Sequence, residues 1–214
     1  MNPRDLIQGS DEWKRYKCGR LGASSISDML ARTKTGWGAM RGNLCARLVV
    51  ERLTGCPTPS YTSKAMENGT ALEPQARSLY GVLYNVDVAQ IGWADHPRIP
   101  WSGASPDGLV GDDGLIEIKC PLEKTHLDTL LGGSIDGGYV KQMQWQMTVL
   151  DRKYCDFTSF CPSFPPEMQI HVTRVMRDDI MIANLEIEAD VFLKEVDETV
   201  QALRERYQVL EAAE

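Results

Sequence analysis

The chain has 214 residues, of which 43% are hydrophobic and 25% charged, and a formal net charge of −7. That length accommodates a sizeable buried core, and the composition is that of a soluble globular protein. The acidic balance weighs against a surface that grips nucleic acid by charge alone, and no apolar run approaches the roughly 18 residues of a bilayer span.

The first segment, "MNPRDLIQGSDEWKR", lacks the apolar stretch of a signal peptide. The six cysteines, Cys18, Cys45, Cys56, Cys120, Cys155 and Cys161, form no CxxC pair. Their spacing argues against a zinc site and for a cytoplasmic chain with reduced thiols. "WKRYKCGR" gathers Lys14, Arg15, Lys17 and Arg20. Such a run is either a solvated face or the lining of a cleft for DNA inside an otherwise acidic protein. "GASSISDMLAR" predicts a capped helix start near Ser24 or Ser25. In "RGNLCARLVVERLTG" the residues Leu44, Leu48, Val49 and Leu53 recur at helical spacing, and the helix stops at Gly55. "SKAMENGTALEPQARSLYGVLY" reads as one helix or a helix pair, with Leu72, Ala76, Leu79 and Leu83 as its apolar stripe.

The pattern then changes. A strand is expected from Val86 to Ala94, with short strands at Trp101–Ala104 and around Leu109, and another in "GLIEIKC". "GGYVKQMQWQMTVL" reads as a helix, and "KYCDFTSFC" and "EMQIHVTRV" as strands. From about Asp178 a long C-terminal helix carries Ile182, Leu185, Val196, Val200, Leu203 and Tyr207 on one face. The expected class is α/β, a mixed central sheet flanked by helices, with the long helix at the C-terminus and the whole chain, 1–214, as one domain.

The strand "LIEIKC" holds the chemistry. Side chains alternate between faces, so Ile116 and Ile118 point one way and Glu117 and Lys119 the other. A solvated face with a weak ion pair would produce the same pattern. Asp107, ten residues before Glu117 and followed by Gly108, changes the weighing. A hairpin through "GDDG" brings Asp107 beside the Glu117 strand. Two converging carboxylates repel unless a cation sits between them. A hard divalent ion takes oxygen ligands and keeps waters, and the nearby lysine can orient a water or stabilise charge on a phosphate. Asp, Glu and Lys in this arrangement form a complete set for phosphodiester hydrolysis.

"SPDGLVGDDGLIEIKCP" resembles the PD-(D/E)xK nuclease motif, in the version of the lambda-exonuclease (YqaJ-type viral recombinase) family. "QGSDEWKRYKCGRLGAS", "NGTALEPQAR" and "YVKQMQWQMTV" resemble three further blocks of that family, in the same order. The resemblance covers about Gln8 to Val149. It implies a restriction-endonuclease-like core and a 5′-to-3′ exonuclease on double-stranded DNA that leaves 3′ overhangs for phage-type annealing recombination. It also implies Mg²⁺, with Mn²⁺ compatible, as two ions per site. Asp107 and Glu117 would be the principal metal ligands, joined by the backbone carbonyl of Ile118. Glu73 would contact a second metal or its water shell. Lys119 would position or activate the attacking water, and Gln144 would touch that water or the scissile phosphate. "QMQWQ" also offers Gln142 and Gln146, and one helical turn cannot point all three the same way.

A terminal 5′-phosphate would be held by Lys17, Ser24 and Ser105. Lys17 stands where the family has an arginine, which keeps the charge but loses the bidentate fork, and Arg20 is the expected substitute. A second family arginine aligns near Thr125, where neither Lys124 nor His126 replaces it cleanly. The family implies a homotrimeric ring around DNA, a single-strand annealing protein as partner, and a phage or prophage setting in a bacterial cytoplasm. The alternative enzyme is a PD-(D/E)xK endonuclease of restriction-like or branched-DNA type. A degenerate binding module is disfavoured because Asp107, Glu117 and Lys119 are all present. His96, His126 and His171 stand apart from any nucleophile. Cys120 reads as a small core residue, and Trp13, Trp37 and Trp145 read as core packing ahead of the alternative, stacking on bases.

Overall fold

The computed structural model of the chain describes residues 2–59 and 63–207. Ser10 caps the first helix, α1 (Asp11–Lys17), its hydroxyl accepting from the Trp13 amide. This helix absorbs most of the basic run, which the sequence alone leaves without a secondary structure. β1 (Leu21–Gly22) leads through a 3-10 turn at Ala23–Ser25 into a single helical turn, α2 (Ile26–Met29). A small hairpin, β2 (Arg32–Thr33) and β3 (Gly36–Trp37), precedes α3 (Ala39–Thr54), which ends at Gly55 in the left-handed conformation as expected.

α4 (Lys64–Tyr84) is one helix, not a pair, and runs through Pro74. The single strand expected over Val86–Ala94 is instead two fragments, β4 (Val88–Ala89) and β5 (Ala94–Asp95), in different sheets. Gly92 lies between them, so close to Leu6 that any Cβ would collide with its carbonyl. There the chain crosses from one sheet to the other. β6 (Ser102–Ala104), β7 (Gly108–Val110) and β8 (Gly114–Lys119) follow. α5 (Glu123–Leu130), which apolar patterning did not reveal, leads to α6 (Gly137–Leu150). β9 (Tyr154–Phe160), β10 (Ile170–Met176) and α7 (Asp179–Tyr207) complete the chain. The Asp178 carboxylate accepts from the Ile180 and Met181 amides and starts α7.

The main sheet has the order β10-β9-β8-β7-β4. β8 pairs parallel with β9 and antiparallel with β7, so the sheet is mixed. The parallel pair needs a crossover, which α5 and α6 supply. β8 is therefore a central strand covered on both faces. Leu115 packs into the larger core with Trp145, Phe157 and Phe192, while Ile116 and Ile118 pack with Ala76 and Tyr80 of α4. A second sheet, β1-β6-β5, pairs Leu21–Gly22 with Ser102–Gly103. That pairing brings the Ser24 turn close to Ser105, 81 positions later in the chain.

Candidate active site

Glu117 and Lys119 lie on one face of β8, opposite Ile116 and Ile118, as alternation predicts. That face is not solvated: the Glu117 side chain is only 2% exposed and that of Lys119 28%. A bare buried carboxylate is costly, and here it is heavily hydrogen-bonded. Lys119 Nζ and Gln142 Nε2 donate to Glu117 Oε1 at 2.6 and 2.7 Å, and Gln146 Nε2 donates to Oε2 at 2.7 Å.

The hairpin through "GDDG" places Asp107 beside this pair. Gly108 pairs with Ile116, and Gly111 takes a positive φ of 53° to turn the chain. A Cβ at Gly108 would collide with Val88, which explains glycine directly after the aspartate. Asp107 Oδ2 accepts from the Ile118 amide at 2.6 Å, so the carboxyl is fixed to the strand that carries Glu117. From α4, Arg77 Nε donates to the Asp107 carbonyl at 2.8 Å. Sequence reading missed Arg77, although it sits one helical turn after Glu73.

The electrostatics are those of acids held together against repulsion. Burial, then the Glu117 charge, raise the Asp107 carboxyl well above the usual range, more than Lys119 and the Ile118 amide lower it. Burial also raises the Glu73 carboxyl, against the pull of Lys119 and Arg77. For Lys119, burial disfavours the ammonium, but Glu117 and Asp107 together outweigh it and raise its pKa. Lys119 therefore remains charged at any physiological pH. Its ammonium also sits 4.8 Å from the Tyr139 ring centroid. Burial, then Glu73 and Asp107, push the neighbouring Cys120 thiol up to about 12, so it is no nucleophile here.

Glu73, Ile118, Lys119 and Tyr139 line one cavity of 520 Å³. Glu73 at its wall, and Asp107 and Glu117 behind Ile118 and Lys119, offer only oxygen donors, the chemistry of a hard divalent cation. Among the described residues no three His, Cys, Asp or Glu side chains are close enough to enclose an ion unaided. Asp107 and Glu117 fit as part of a shell that water completes, the usual situation for Mg²⁺.

Gln144 is a correction. Its Nε2 donates to the Met176 carbonyl and its Oε1 accepts from the Asp178 amide, both at 2.8 Å, away from Glu117. Residues 142 and 146 share a helix face at i, i+4, whereas 144 is rotated about 200° from Gln142. Gln142 and Gln146 thus occupy the position expected of Gln144, and Gln144 ties α6 to the start of α7. Gln146→Ala is accordingly expected to reduce turnover by about tenfold or more, because a buried carboxylate oxygen loses its donor. Gln144→Ala should mainly lower the melting temperature, by several degrees for a loss of about 1–2 kcal/mol. Steady-state kinetics and thermal melting of both variants check this, and a larger turnover defect in Gln144→Ala would refute it.

The expected phosphate-binding residues also gather. Lys17, Ser24 and Ser105 line a 170 Å³ cavity that reaches Gln142, and hence Glu117. Lys17 Nζ lies 3.7 Å from the Trp13 ring centroid. Trp13 Nε1 donates to Gly92 O at 2.9 Å and to Ser105 Oγ at 3.0 Å, which sets Ser105 at the cavity wall. Burial, then the Arg47 charge, lower the Lys17 ammonium to about 8, with Glu51 opposing. Arg20 is committed elsewhere: Nη1 donates to Tyr16 O at 2.6 Å, and Nε lies 3.7 Å from Asp95. The histidines hold structure. His126 accepts from or donates to Ser159 Oγ and bonds the Met168 carbonyl, His96 accepts from the Arg98 and Ile99 amides, and His171 bonds Thr173. Trp145 is fully buried, while Trp37 is 42% exposed with Arg32 and Arg41 against its ring.

The sequence profile of the YqaJ-like viral recombinase domain matches residues 12–153. Among solved structures, the chain is similar to an alkaline exonuclease from Laribacter hongkongensis. The two are 42% identical with a TM-score of 0.86, over 93% of this chain and 98% of that one. The same exonuclease in complex with dAMP matches equally well. A phage-related exonuclease from Haemophilus somnus 129PT, at 15% identity and a TM-score of 0.67 over 86% of this chain and 96% of that one, shares the fold. No curated protein matches significantly.

Proposed function

The chain belongs to the YqaJ-like viral recombinase family, and from that membership we propose that it is a metal-dependent exonuclease that degrades duplex DNA from its 5′ ends. The observation that carries the proposal is the buried, hydrogen-bonded Asp107–Glu117–Lys119 group, joined through Gln142, which donates to Glu117, to the cavity that Lys17 lines. The exonuclease from Laribacter hongkongensis has been captured with dAMP. A deoxynucleoside monophosphate is the product such an enzyme releases.

Asp107 and Glu117 would hold Mg²⁺, or Mn²⁺, since oxygen ligands accept both. Glu73 would share a second ion. The Ile118 carbonyl, on the strand between them, is the natural backbone ligand. When bound, the ion supplies positive charge to the phosphate oxygens and a nucleophile at neutral pH. In the metal-free protein Glu117 and Asp107 favour the Lys119 ammonium. It donates hydrogen bonds to the attacking water and to the charge that develops on the scissile phosphate. Gln142 and Gln146 keep the Glu117 carboxylate in one orientation while this happens. Lys17, Ser24 and Ser105 receive the terminal 5′-phosphate and so set the register of cleavage.

The remaining parts of the proposal follow from family membership. A single nuclease domain over 1–214 would assemble as a homotrimeric ring, which holds DNA by topology and tolerates a net charge of −7. It would pass 3′ overhangs to a single-strand annealing protein, in the bacterial cytoplasm that hosts the phage or prophage. No helix among the described residues is long and apolar enough to cross a membrane.

The test is digestion of duplex DNA labelled separately at each end, with Mg²⁺ or EDTA, beside covalently closed circles. Mg²⁺-dependent release of mononucleotides from 5′ ends alone is expected. Cleavage of closed circles would replace the exonuclease with the endonuclease reading. The same assay carries a pH signature. In the free pocket Lys17 loses its proton near pH 8. The ratio of kcat/KM for 5′-phosphoryl over 5′-hydroxyl ends should therefore fall as pH rises through about 8. A flat ratio from pH 7 to 10 would remove Lys17 from the pocket.

A further inference from the structure

We infer that Arg47, on α3, is the guanidinium that grips the terminal 5′-phosphate and restores the bidentate recognition that lysine at position 17 lacks. The inference rests on the exonuclease reading above and extends its pocket to a residue 30 positions after Lys17, on the third helix of the chain. Arg47, Lys17, Ser24 and Ser25 line one 480 Å³ cavity, which adjoins the smaller one reaching Ser105 and Gln142.

The partners of the neighbouring arginines single Arg47 out. Arg41 donates twice to Glu195, at 2.7 Å each, and once to Met29 O. Arg52 also has a buried nitrogen without an acceptor, Nη2, but its other donors are committed to Asp197 and the Gly19 carbonyl, and it does not line this cavity. Arg20 bonds Tyr16 O and packs its guanidinium 4.3 Å from the Tyr16 ring and 5.0 Å from that of Trp101. Among the described residues Arg47 donates once, from Nη2 to Ser25 Oγ at 3.1 Å. Its Nε is buried and finds no acceptor among the described residues. A buried N–H without an acceptor is costly, and a guanidinium with free edge donors matches two phosphate oxygens.

Among the described residues the one acid lining the cavity, Glu51, does not fill the role of that missing anion. Its Oε2 accepts from the Gly19 amide at 2.7 Å and its Oε1 from the Thr58 amide at 3.1 Å. Four basic residues, Lys14, Lys17, Arg20 and Arg47, therefore line a cavity in which Glu51 is already engaged; Lys14 pairs with Asp11 and Arg20 with Tyr16 O, which leaves Lys17 and Arg47. The mutual repulsion of Arg47 and Lys17 agrees with that geometry. A phosphate between them would relieve it. The Ser25 hydroxyl fixes the guanidinium, and Ser24, the next residue back, supplies a further donor from the same turn.

The experiment compares kcat/KM on 5′-phosphoryl and 5′-hydroxyl duplex ends for wild type, Arg47→Gln, Arg47→Ala and Arg47→Lys, each with its melting temperature. Wild type should prefer phosphoryl ends. In Arg47→Gln and Arg47→Ala that preference should fall by about ten- to a hundredfold, as expected for a lost charged hydrogen-bond pair. Arg47→Lys should recover part of it, having charge without the fork. A preference undiminished in folded variants would overturn the role of Arg47 and leave the exonuclease reading standing. Equal losses on both ends, with a lowered melting temperature, would make Arg47 structural and also overturn it. A wild type indifferent to the end would overturn the pocket itself and Arg47 with it.

Discussion

Lys119→Ala should lower the rate of DNA cleavage by about a hundred- to a thousandfold, the usual cost of removing one preorganised donor from a developing oxyanion. The ammonium lies 2.6 Å from Glu117 Oε1, and in the metal-free protein the charges of Glu117 and Asp107 favour its protonated form. Its loss removes charge stabilisation and water orientation together. The fold should survive, because Glu117 keeps the Gln142 and Gln146 amides. One charge-assisted bond to a buried carboxylate is still lost, so the melting temperature should drop, for a cost of about 1.5–3 kcal/mol. Single-turnover digestion of end-labelled duplex under saturating Mg²⁺ separates this from weaker substrate binding. A variant that cleaves within tenfold of wild type would remove Lys119 from the chemistry.

The hairpin that carries this lysine was the most legible part of the chain. Its determinants are local: Pro106 and Gly108 around the aspartate, a glycine-bounded turn, and strict alternation in "LIEIKC". What alternation could not reveal was the environment of the charged face. Glu117 looks solvent-facing until α6 is laid across it, and the placement of α6 is a tertiary fact. The three glutamines show the same limit from the other side. Helical periodicity separates Gln144 from Gln142 and Gln146, but only packing decides which set meets Glu117. The basic run before Arg20 was legible as charge and not as geometry. In the fold Lys14 pairs with Asp11 at the surface, Lys17 lies under Trp13, and Arg20 turns to Tyr16. Arg47 carried no local signal at all, since it enters its cavity through the packing of α3 against the Ser25 turn.

Asp107→Asn should abolish Mg²⁺-dependent cleavage and, without metal, make the protein more stable. The two effects have one cause. Folding buries the Asp107 carboxyl near Glu117 and raises its affinity for a proton well above that in the unfolded chain. The folded state then binds more protons than the unfolded state over the interval between those two pKa values. Stability is lost as pH rises through that interval, and the deficit persists at neutral pH. Asparagine has the same shape and no charge to desolvate, and its side-chain oxygen can still accept from the Ile118 amide. In EDTA at neutral pH the variant should therefore melt above wild type. Added Mg²⁺ should reverse the order. A cation bound to the native state alone stabilises by about 2.7 kcal/mol at a hundredfold excess over its Kd. Wild type should gain that increment, while the variant, having lost a charged ligand, should gain much less at the same concentration. Melting curves of both proteins in EDTA and across a Mg²⁺ titration read the crossing directly. A variant that melts below wild type in EDTA would mean that the Asp107 charge is well satisfied without metal. An equal Mg²⁺ shift in both would place the cation elsewhere.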